Sequence, residues 1–257
     1  MDKKKTKKVV KELYTSIAQT NGSCCSSSCC SSSCCDTGNL TEIGRKIGYT
    51  EADLRNVPEA ANMGLGCGNP VALASLREGE TVLDLGSGGG IDVFLAAKKV
   101  GSNGRVIGVD MTDAMVKRAK LNADKNGYKN VEFRLGEIEK LPVDNESIDV
   151  ILSNCVINLS PDKEQVFREA YRVLKTGGRL MVSDLVTEGE LPEEVRKNFD
   201  AWASCIGGAL EKQQYLEGIR KAGFKDVRIV SENTYDINVT GELKGKITSV
   251  HVEAYKS

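Results

Sequence analysis

The sequence has few aromatic residues, one histidine and no long apolar run. Aromatic side chains make up 5% of the 257 residues, and Trp202 and His251 are the only residues of their types. No window approaches the roughly 18 to 20 apolar residues of a membrane span, and the amino terminus lacks the apolar stretch of a signal peptide. His251 falls in a predicted terminal strand, where a structural role is favoured over a general base. We therefore expect a cytoplasmic protein without membrane contact.

The sequence also lacks an excess of either charge. The formal net charge is −1, and basic residues cluster only between Lys3 and Lys11, a stretch we expect to be solvated. Such a balance gives no electrostatic case for binding nucleic acid or an anionic membrane. With 40% apolar residues, the chain can form one main domain with extensions, and we expect a monomer.

Cysteine, in contrast, is abundant. The nine cysteines are an odd number, which argues against a fully paired disulfide framework, and cytosolic thiols serve metal binding, catalysis or redox chemistry more often than structure. Six of them form adjacent pairs in a Cys/Ser repeat at 24–35. This repeat lacks larger apolar side chains and predicts a flexible arm. Two interpretations of the repeat remain open: it captures substrate or metal, or it has no defined role.

Strands and helices alternate from residue 81 onward. Strands are predicted at 81–85, 105–110, 131–135, 148–154 and 179–186, helices at 90–100, 112–126 and 161–175, and two final strands at 227–231 and 247–255. A further helix is indicated by Val195, Phe199, Trp202 and Ile206, and another near 213–222. The alternation is typical of a parallel sheet covered by helices. We predict an arm with a short helix at 1–40, a helical extension at 41–76 and an α/β domain at 77–257.

A glycine loop joins the first strand to the first helix. Gly86 and Gly88 permit a tight turn and close backbone approach, with Ser87 between them, and Gly90 allows the helix to pack near the strand. Asp110 ends the second strand about 20 residues later, where a carboxylate can hold the ribose hydroxyls of an adenosine. A helix-entry role beside Thr112 is the alternative for Asp110.

Asp84 indicates which nucleoside the loop would take. A carboxylate before the glycines would repel a pyrophosphate but attract a cationic amino group, which favours S-adenosylmethionine over a dinucleotide. The segment 82–90 with Asp110 resembles the seven-strand class of S-adenosylmethionine-dependent methyltransferases. The resemblance implies a Rossmann-like sheet of seven strands with helices on both faces and the last strand antiparallel. It also implies cofactor contacts at Met111, Ile138, Glu139 and Asn154, in addition to the loop.

Three solitary cysteines extend the resemblance. Cys155 follows the apolar strand 148–154, so its thiol should emerge at the carboxyl edge of the sheet, and Cys67 and Cys205 lie in segments that could reach the same edge. Their surroundings, 62–70, 153–163 and 202–210, resemble arsenite methyltransferase motifs. By that likeness Cys67, Cys155 and Cys205 are the catalytic, arsenic-binding thiols, with Cys155 and Cys205 nearest the methyl donor. Packing of each cysteine as a small core residue is the alternative.

The expected reaction follows from soft-ligand chemistry. Trivalent arsenic prefers thiolate ligands, and its lone pair can attack a sulfonium methyl, a step that needs alignment more than proton transfer. We expect no catalytic metal, arsenite or its thiol conjugates as substrate, and thioredoxin or glutathione as reductant. The alternatives are methylation of a small organic acceptor such as a quinone precursor, and a thiol-rich protein that sequesters arsenic or soft metals.

Overall fold

A computed structural model describes residues 2–19, 40–198, 201–202, 205–234, 243 and 245–257. The Cys/Ser repeat at 24–35, and with it most of the predicted flexible arm, lies outside the described residues. Within these ranges, every helix is too short or too polar to cross a membrane.

The strands form one mixed sheet. In chain order, β1 to β8 span Thr81–Leu85, Arg105–Asp110, Val131–Leu135, Ile148–Asn154, Leu174–Thr187, Leu210–Glu211, Lys225–Thr234 and Ile247–Tyr255. Across the described residues their order is β3-β2-β1-β4-β5-β8-β7, and the short β6 pairs with β5. Strands β1 to β5 pair in parallel, whereas β8 runs antiparallel to both β5 and β7. The predicted seven-strand path with an antiparallel last strand is confirmed.

Helices precede the sheet and alternate with its strands. In chain order, the described helices α1 to α9 span Lys3–Gln19, Leu40–Lys46, Glu51–Arg55, Pro70–Leu73, Ile91–Val100, Asp113–Lys125, Lys163–Val173, Glu193–Lys197 and Lys212–Lys221. Helix α4 begins at Pro70, because Asn69 accepts a hydrogen bond from the amide of Ala72 and Pro70 occupies the first turn. Helices α2 to α4 form the segment before the sheet.

The two faces of the sheet bury different helices. Val82 packs on the side of α5 and α6, and Leu83 packs on the side of α7 and α9, as expected when side chains alternate along a strand. Both side chains are fully buried. The strands therefore hold the loops at their carboxyl ends on a rigid, doubly covered base.

Two predicted boundaries differ from the structure. Helix α7 ends at Val173 and not at 175, and β5 begins at Leu174 and not at 179, so Gly177, with φ +81°, lies inside the strand. The helix predicted from Val195 to Ile206 is interrupted, because α8 ends at Lys197 and Asn198 has extended backbone angles. Phe199, part of that predicted stripe, lies outside the described residues.

Candidate active site

The carboxyl ends of β1, β2 and β4 open into one cavity of about 590 Å³. The size is typical of small-molecule sites. The predicted cofactor residues that line the cavity are Asp84, Gly86, Ser87, Gly88, Asp110, Met111, Ile138, Glu139 and Asn154. The predicted arsenic-binding residues Cys67, Cys155 and Cys205 line it too. Gly90 does not; a Cβ there would come within 2.8 Å of the Phe94 ring and 3.0 Å of the Phe133 ring, so this glycine serves the close packing of α5.

The glycine loop is a tight turn held by backbone hydrogen bonds. The amides of Gly86 and Ser87 donate to the carbonyl of Val109 at 2.8 and 3.0 Å. Gly86 has φ +68°, and a Cβ at this position would lie 2.3 Å from the side chain of Val156. The turn therefore requires glycine at 86 for its backbone angle, and also because the loop after β4, which carries Val156, approaches so closely.

Three buried carboxyl groups surround the loop. Burial raises the pKa of Asp84 well above its usual range, and the neighbouring Asp92 and Asp110 carboxylates add to the rise. Burial raises the pKa of Asp92 to about 6, against hydrogen bonds from Tyr49 and Asn154 that lower it. Three neighbouring carboxyl groups that repel one another when ionised make this half of the cavity suited to a positively charged ligand.

Asp110 is fixed by the backbone on both sides. Its carboxylate accepts hydrogen bonds from the amides of Gly88 at 3.0 Å and Thr112 at 2.8 Å. Burial raises its pKa, and these two bonds act in the opposite direction. The Asp110 carboxylate therefore ties β2 to the glycine loop. Asp110 also lies just before α6, beside Thr112, which is the position that the alternative helix-entry role requires.

Asn154 connects β4 to the loop that carries Cys67. Its side-chain oxygen accepts a hydrogen bond from the Cys67 amide at 3.0 Å, and its nitrogen donates to the carbonyl of Gly68 at 2.8 Å. The same nitrogen lies 3.0 Å from the Tyr49 hydroxyl, which donates to Asp92. Asn154 thus couples the thiol end of the cavity to the carboxylate end.

The cysteines occupy the other end of the cavity. Cys67 and Cys155 are joined by a disulfide with their Cα atoms 6.0 Å apart, and Cys205 is the free cysteine among the described residues. The Cys205 thiol donates a hydrogen bond to the carbonyl of Cys155 at 2.8 Å. All three pack in one apolar cluster with Leu159 and Leu185. The structure therefore brings together the three thiols that the sequence grouped, with two of them oxidised.

Left-handed backbone conformations occur at both Cys155 and Cys205, with φ of +57° and +66°. Such angles are unfavourable for residues other than glycine, asparagine and aspartate, and they concentrate at functional sites. The strained turns direct these two side chains into the same cluster.

The cavity also contains residues that the motifs did not indicate. Lys7 and Tyr14 reach it from α1, and Asp92 lines it from the first turn of α5. Asp184, in β5, is not among the residues that line the cavity, but it places a carboxylate oxygen within 4.8 Å of the sulfurs of Cys67 and Cys155. Burial raises its pKa to about 7. The signal in the sequence that could have identified Asp184 is the presence of an acidic residue within the apolar strand β5.

Other polar residues near the motifs have structural contacts. The Asn158 amide donates to the carbonyl of Leu185 at 2.6 Å. Asp162 caps α7 by accepting a hydrogen bond from the amide of Gln165. His251 is buried in β8 and its ring nitrogen Nδ1 lies 3.0 Å from the hydroxyl of Ser231.

Comparison with known proteins gives a consistent result. A methyltransferase-domain family model matches residues 76–223. The arsenite methyltransferase of Halobacterium salinarum is 42% identical over 99% of this chain and 68% of its own length. The human arsenite methyltransferase is 44% identical over 72% of this chain, which spans about half (51%) of that protein. The crystal structure of an arsenic(III) S-adenosylmethionine methyltransferase from Chlamydomonas reinhardtii matches with a TM-score of 0.69 and 35% identity, covering 83% of this chain and 73% of that one.

Proposed function

Because the chain belongs to the arsenite methyltransferase family, we propose that it transfers methyl groups from S-adenosylmethionine to thiolate-bound trivalent arsenic. One observation carries this proposal beyond the family. Cys67, Cys155 and Cys205 come from three separate segments and line the same cavity as the glycine loop. A site for a soft substrate therefore adjoins a site for a cationic nucleoside.

The carboxylate end of the cavity fits S-adenosylmethionine. The Ser87 hydroxyl is buried without a hydrogen-bond partner among the described residues, so it is available to a ligand. Asp84 and Asp92 offer negative charge to an amino group or a sulfonium, and Asp110 keeps acceptor capacity for ribose hydroxyls. S-adenosylmethionine supplies a methyl group that its positive sulfur already activates. The protein's contribution is orientation and exclusion of water.

The thiol end first requires reduction. Two thiols of a reductant such as glutathione or thioredoxin break the Cys67–Cys155 bond, giving two protein thiols and an oxidised reductant. Arsenite then exchanges its hydroxides for protein sulfurs. For each ligand an arsenic–sulfur bond forms, an arsenic–oxygen bond breaks, and the thiol proton leaves with the hydroxide as water.

Methylation changes the oxidation state of arsenic. The arsenic lone pair forms the bond to the methyl carbon while the bond between that carbon and the sulfonium sulfur breaks. S-adenosylhomocysteine leaves with the bonding pair, and trivalent arsenic becomes formally pentavalent. Two electrons return it to the trivalent state when two of its sulfur ligands leave as a disulfide. A Cys67–Cys155 disulfide is one product such a step can give, which supports an external thiol reductant as partner. We also propose the cytoplasm, a reducing compartment that supplies such thiols, as the setting of the enzyme, and a monomer as its oligomeric state.

Arsenic speciation after incubation of the purified protein with arsenite, S-adenosylmethionine and a thiol reductant tests the proposal. We expect methylated arsenic from the parent protein and none from Cys155→Ser. A variant with serine at all six cysteines of the repeat 24–35 is the matched control and should retain the activity.

Each alternative predicts a different result. If the parent binds S-adenosylmethionine but gives no methylated arsenic, the proposal fails and organic acceptors become the leading candidates. The sequestration alternative predicts that arsenite binds stoichiometrically through the repeat, that this binding is lost in the sixfold serine variant, and that no methylated arsenic forms.

A further inference from the structure

Helix α1 forms one wall of the cavity. Leu13, Tyr14 and Ile17 line it together with Lys7. Val10 and Ile17 are only 1% and 4% exposed, so these two side chains pack α1 against the sheet domain. Because α1 touches both the carboxylate end and the thiol end, it is placed to affect either ligand.

Ion pairs fix the docking of α1. The Lys7 amine lies 2.7 Å from the carboxylate of Glu137 and 3.1 Å from that of Glu139. At the opposite end of the helix, the Arg118 guanidinium donates to the carbonyl of Ala18 at 3.1 Å. Contacts at both ends set the rotation of the helix and therefore the direction of Tyr14.

Tyr14 makes the polar contact of α1 with the thiols. Its side chain packs in the cluster that contains all three cysteines, and its hydroxyl is hydrogen-bonded to the Cys205 thiol. Cys205 in turn donates to the carbonyl of Cys155. The hydroxyl, the thiol and the carbonyl thus form a chain that orients the Cys205 sulfur.

Arsenic binding changes one of these hydrogen bonds. When Cys205 becomes an arsenic ligand, its proton leaves with a hydroxide as water, and the sulfur can no longer donate to the Cys155 carbonyl. The Tyr14 hydroxyl remains a donor to that sulfur, and a hydrogen bond to a charged acceptor is stronger than one to a neutral acceptor.

We propose that Tyr14 is a positioning residue for the arsenic-binding site, which holds the Cys205 sulfur in the direction of Cys155 and makes α1 part of the active site. This inference rests on the proposed function, since it assigns Cys205 to arsenic. Tyr14 touches the thiol and acts through it.

Tyr14→Phe tests the role because it removes the hydroxyl and keeps the ring. Arsenite binding can be followed by the fluorescence of Trp202, the sole tryptophan, whose carbonyl accepts from the Cys205 amide at 3.0 Å. A phosphine reductant keeps the thiols reduced without competing for arsenic. We expect arsenite affinity to fall about tenfold. Affinity for S-adenosylhomocysteine, measured by calorimetry, and the midpoint of thermal unfolding should stay close to those of the parent.

Two controls separate positioning from a general loss of structure. Tyr128→Phe removes a hydroxyl that donates to the carbonyl of Asn56 at 3.3 Å, and it should leave arsenite affinity unchanged. In a Cys205→Ser background, Tyr14→Phe should have no further effect on arsenite binding at the remaining thiols, because its partner sulfur is gone.

The possible outcomes distinguish this inference from the proposed function. Unchanged arsenite affinity in Tyr14→Phe, beside normal methylation by the parent, would overturn the positioning role alone. An equal loss of affinity in the Cys205→Ser background would also overturn it, because Tyr14 would then act elsewhere. A parent protein that binds no arsenite would overturn both.

Discussion

At the scale of single residues, the site depends on close approaches that only small side chains permit. Asn154 reaches the loop before Cys67 because Gly66 has no side chain; a Cβ there would lie 2.8 Å from the Asn154 oxygen. That oxygen accepts the hydrogen bond of the Cys67 amide. The direction of the Cys67 sulfur therefore depends on a glycine one residue away.

Gly66→Ala should abolish most of the arsenic methylation. The added methyl would displace Asn154 and with it the Cys67 amide, and the φ of +110° adds backbone strain of roughly 1–2 kcal/mol. We expect at least a tenfold loss of methylation rate and a lower free energy of unfolding, measured by arsenic speciation and by denaturant titration.

Gly79→Ala is the matched control for this change. Gly79 also has a positive φ, +85°, but a Cβ there meets nothing within 4 Å. It should cost similar stability and keep the methylation rate. If Gly79→Ala lost as much activity as Gly66→Ala, the contact with Asn154 would not be the reason.

At the scale of elements, α1 is the helix whose attachment is most dependent on side chains. It precedes the sheet domain and forms no part of the sheet, and its described polar contacts are ion pairs and single hydrogen bonds. The pair between Lys7 and Glu139 is partly shielded, with Glu139 only 11% exposed. Salt screens a shielded pair less than an exposed one, and exposed pairs have a median contribution near 0–1 kcal/mol.

Lys7→Met should loosen α1 without unfolding the sheet. We expect hydrogen exchange of the α1 amides to become about two- to fivefold faster, because roughly 0.5–1 kcal/mol of docking energy is lost. Amides of β1 and β4 should exchange as before. Exchange measured by mass spectrometry at residues 3–19 checks this.

Lys8→Met provides the comparison for Lys7→Met. The Lys8 amine pairs with Glu12 of the same helix at 3.8 Å, and both side chains are well exposed. Its replacement should leave exchange in α1 nearly unchanged. Equal acceleration in both variants would mean that loss of helix charge, and not loss of docking, was responsible.

At the scale of the whole molecule, buried carboxyl groups link stability to pH. Burial raises the pKa of Asp92 to about 6 and of Asp184 to about 7, and that of Asp84 is raised too. Between about pH 4 and 7 the folded protein therefore holds more protons than the unfolded chain. Under that condition the free energy of unfolding falls as pH rises.

The ligand-free protein should be more stable at pH 5 than at pH 7.5. His251 acts in the opposite direction, because burial lowers its pKa, but it is one group against four, since burial raises the pKa of Asp110 as well. Carboxyl groups with lowered pKa, such as Glu132 at about 2, act below this window. Thermal unfolding midpoints across this range check the prediction, and a steady rise from pH 5 to 7.5 would contradict it.

A cationic ligand should act on the same groups in the opposite sense. S-adenosylmethionine binds the ionised carboxyl groups better than the protonated ones, so it should raise the unfolding midpoint more at pH 7.5 than at pH 5.5. Equal stabilisation at both pH values would argue against a contact between these carboxyl groups and the positive charge of the cofactor.

The sequence alone determined the sheet and the residues of the carboxylate end of the cavity. The Gly86–Gly90 loop, Asp84 and Asp110 lie within or beside single strands, so their spacing along the chain already fixes their spacing in space. Alternating apolar strands and helices specify the doubly covered sheet by the same local rule. The resemblance of three motifs added the grouping of the cysteines, which local patterns do not encode.

Only the tertiary structure decided how the thiol end is assembled. Cys67 and Cys155 are 88 residues apart yet bonded, and Tyr14, which belongs to no motif, meets Cys205 from the far end of the chain. Asp184 reaches the sulfurs because β5 lies next to β4, an adjacency that follows from strand order. Contacts between distant segments depend on how helices and strands pack, and packing is a property of the whole core that no local spacing contains.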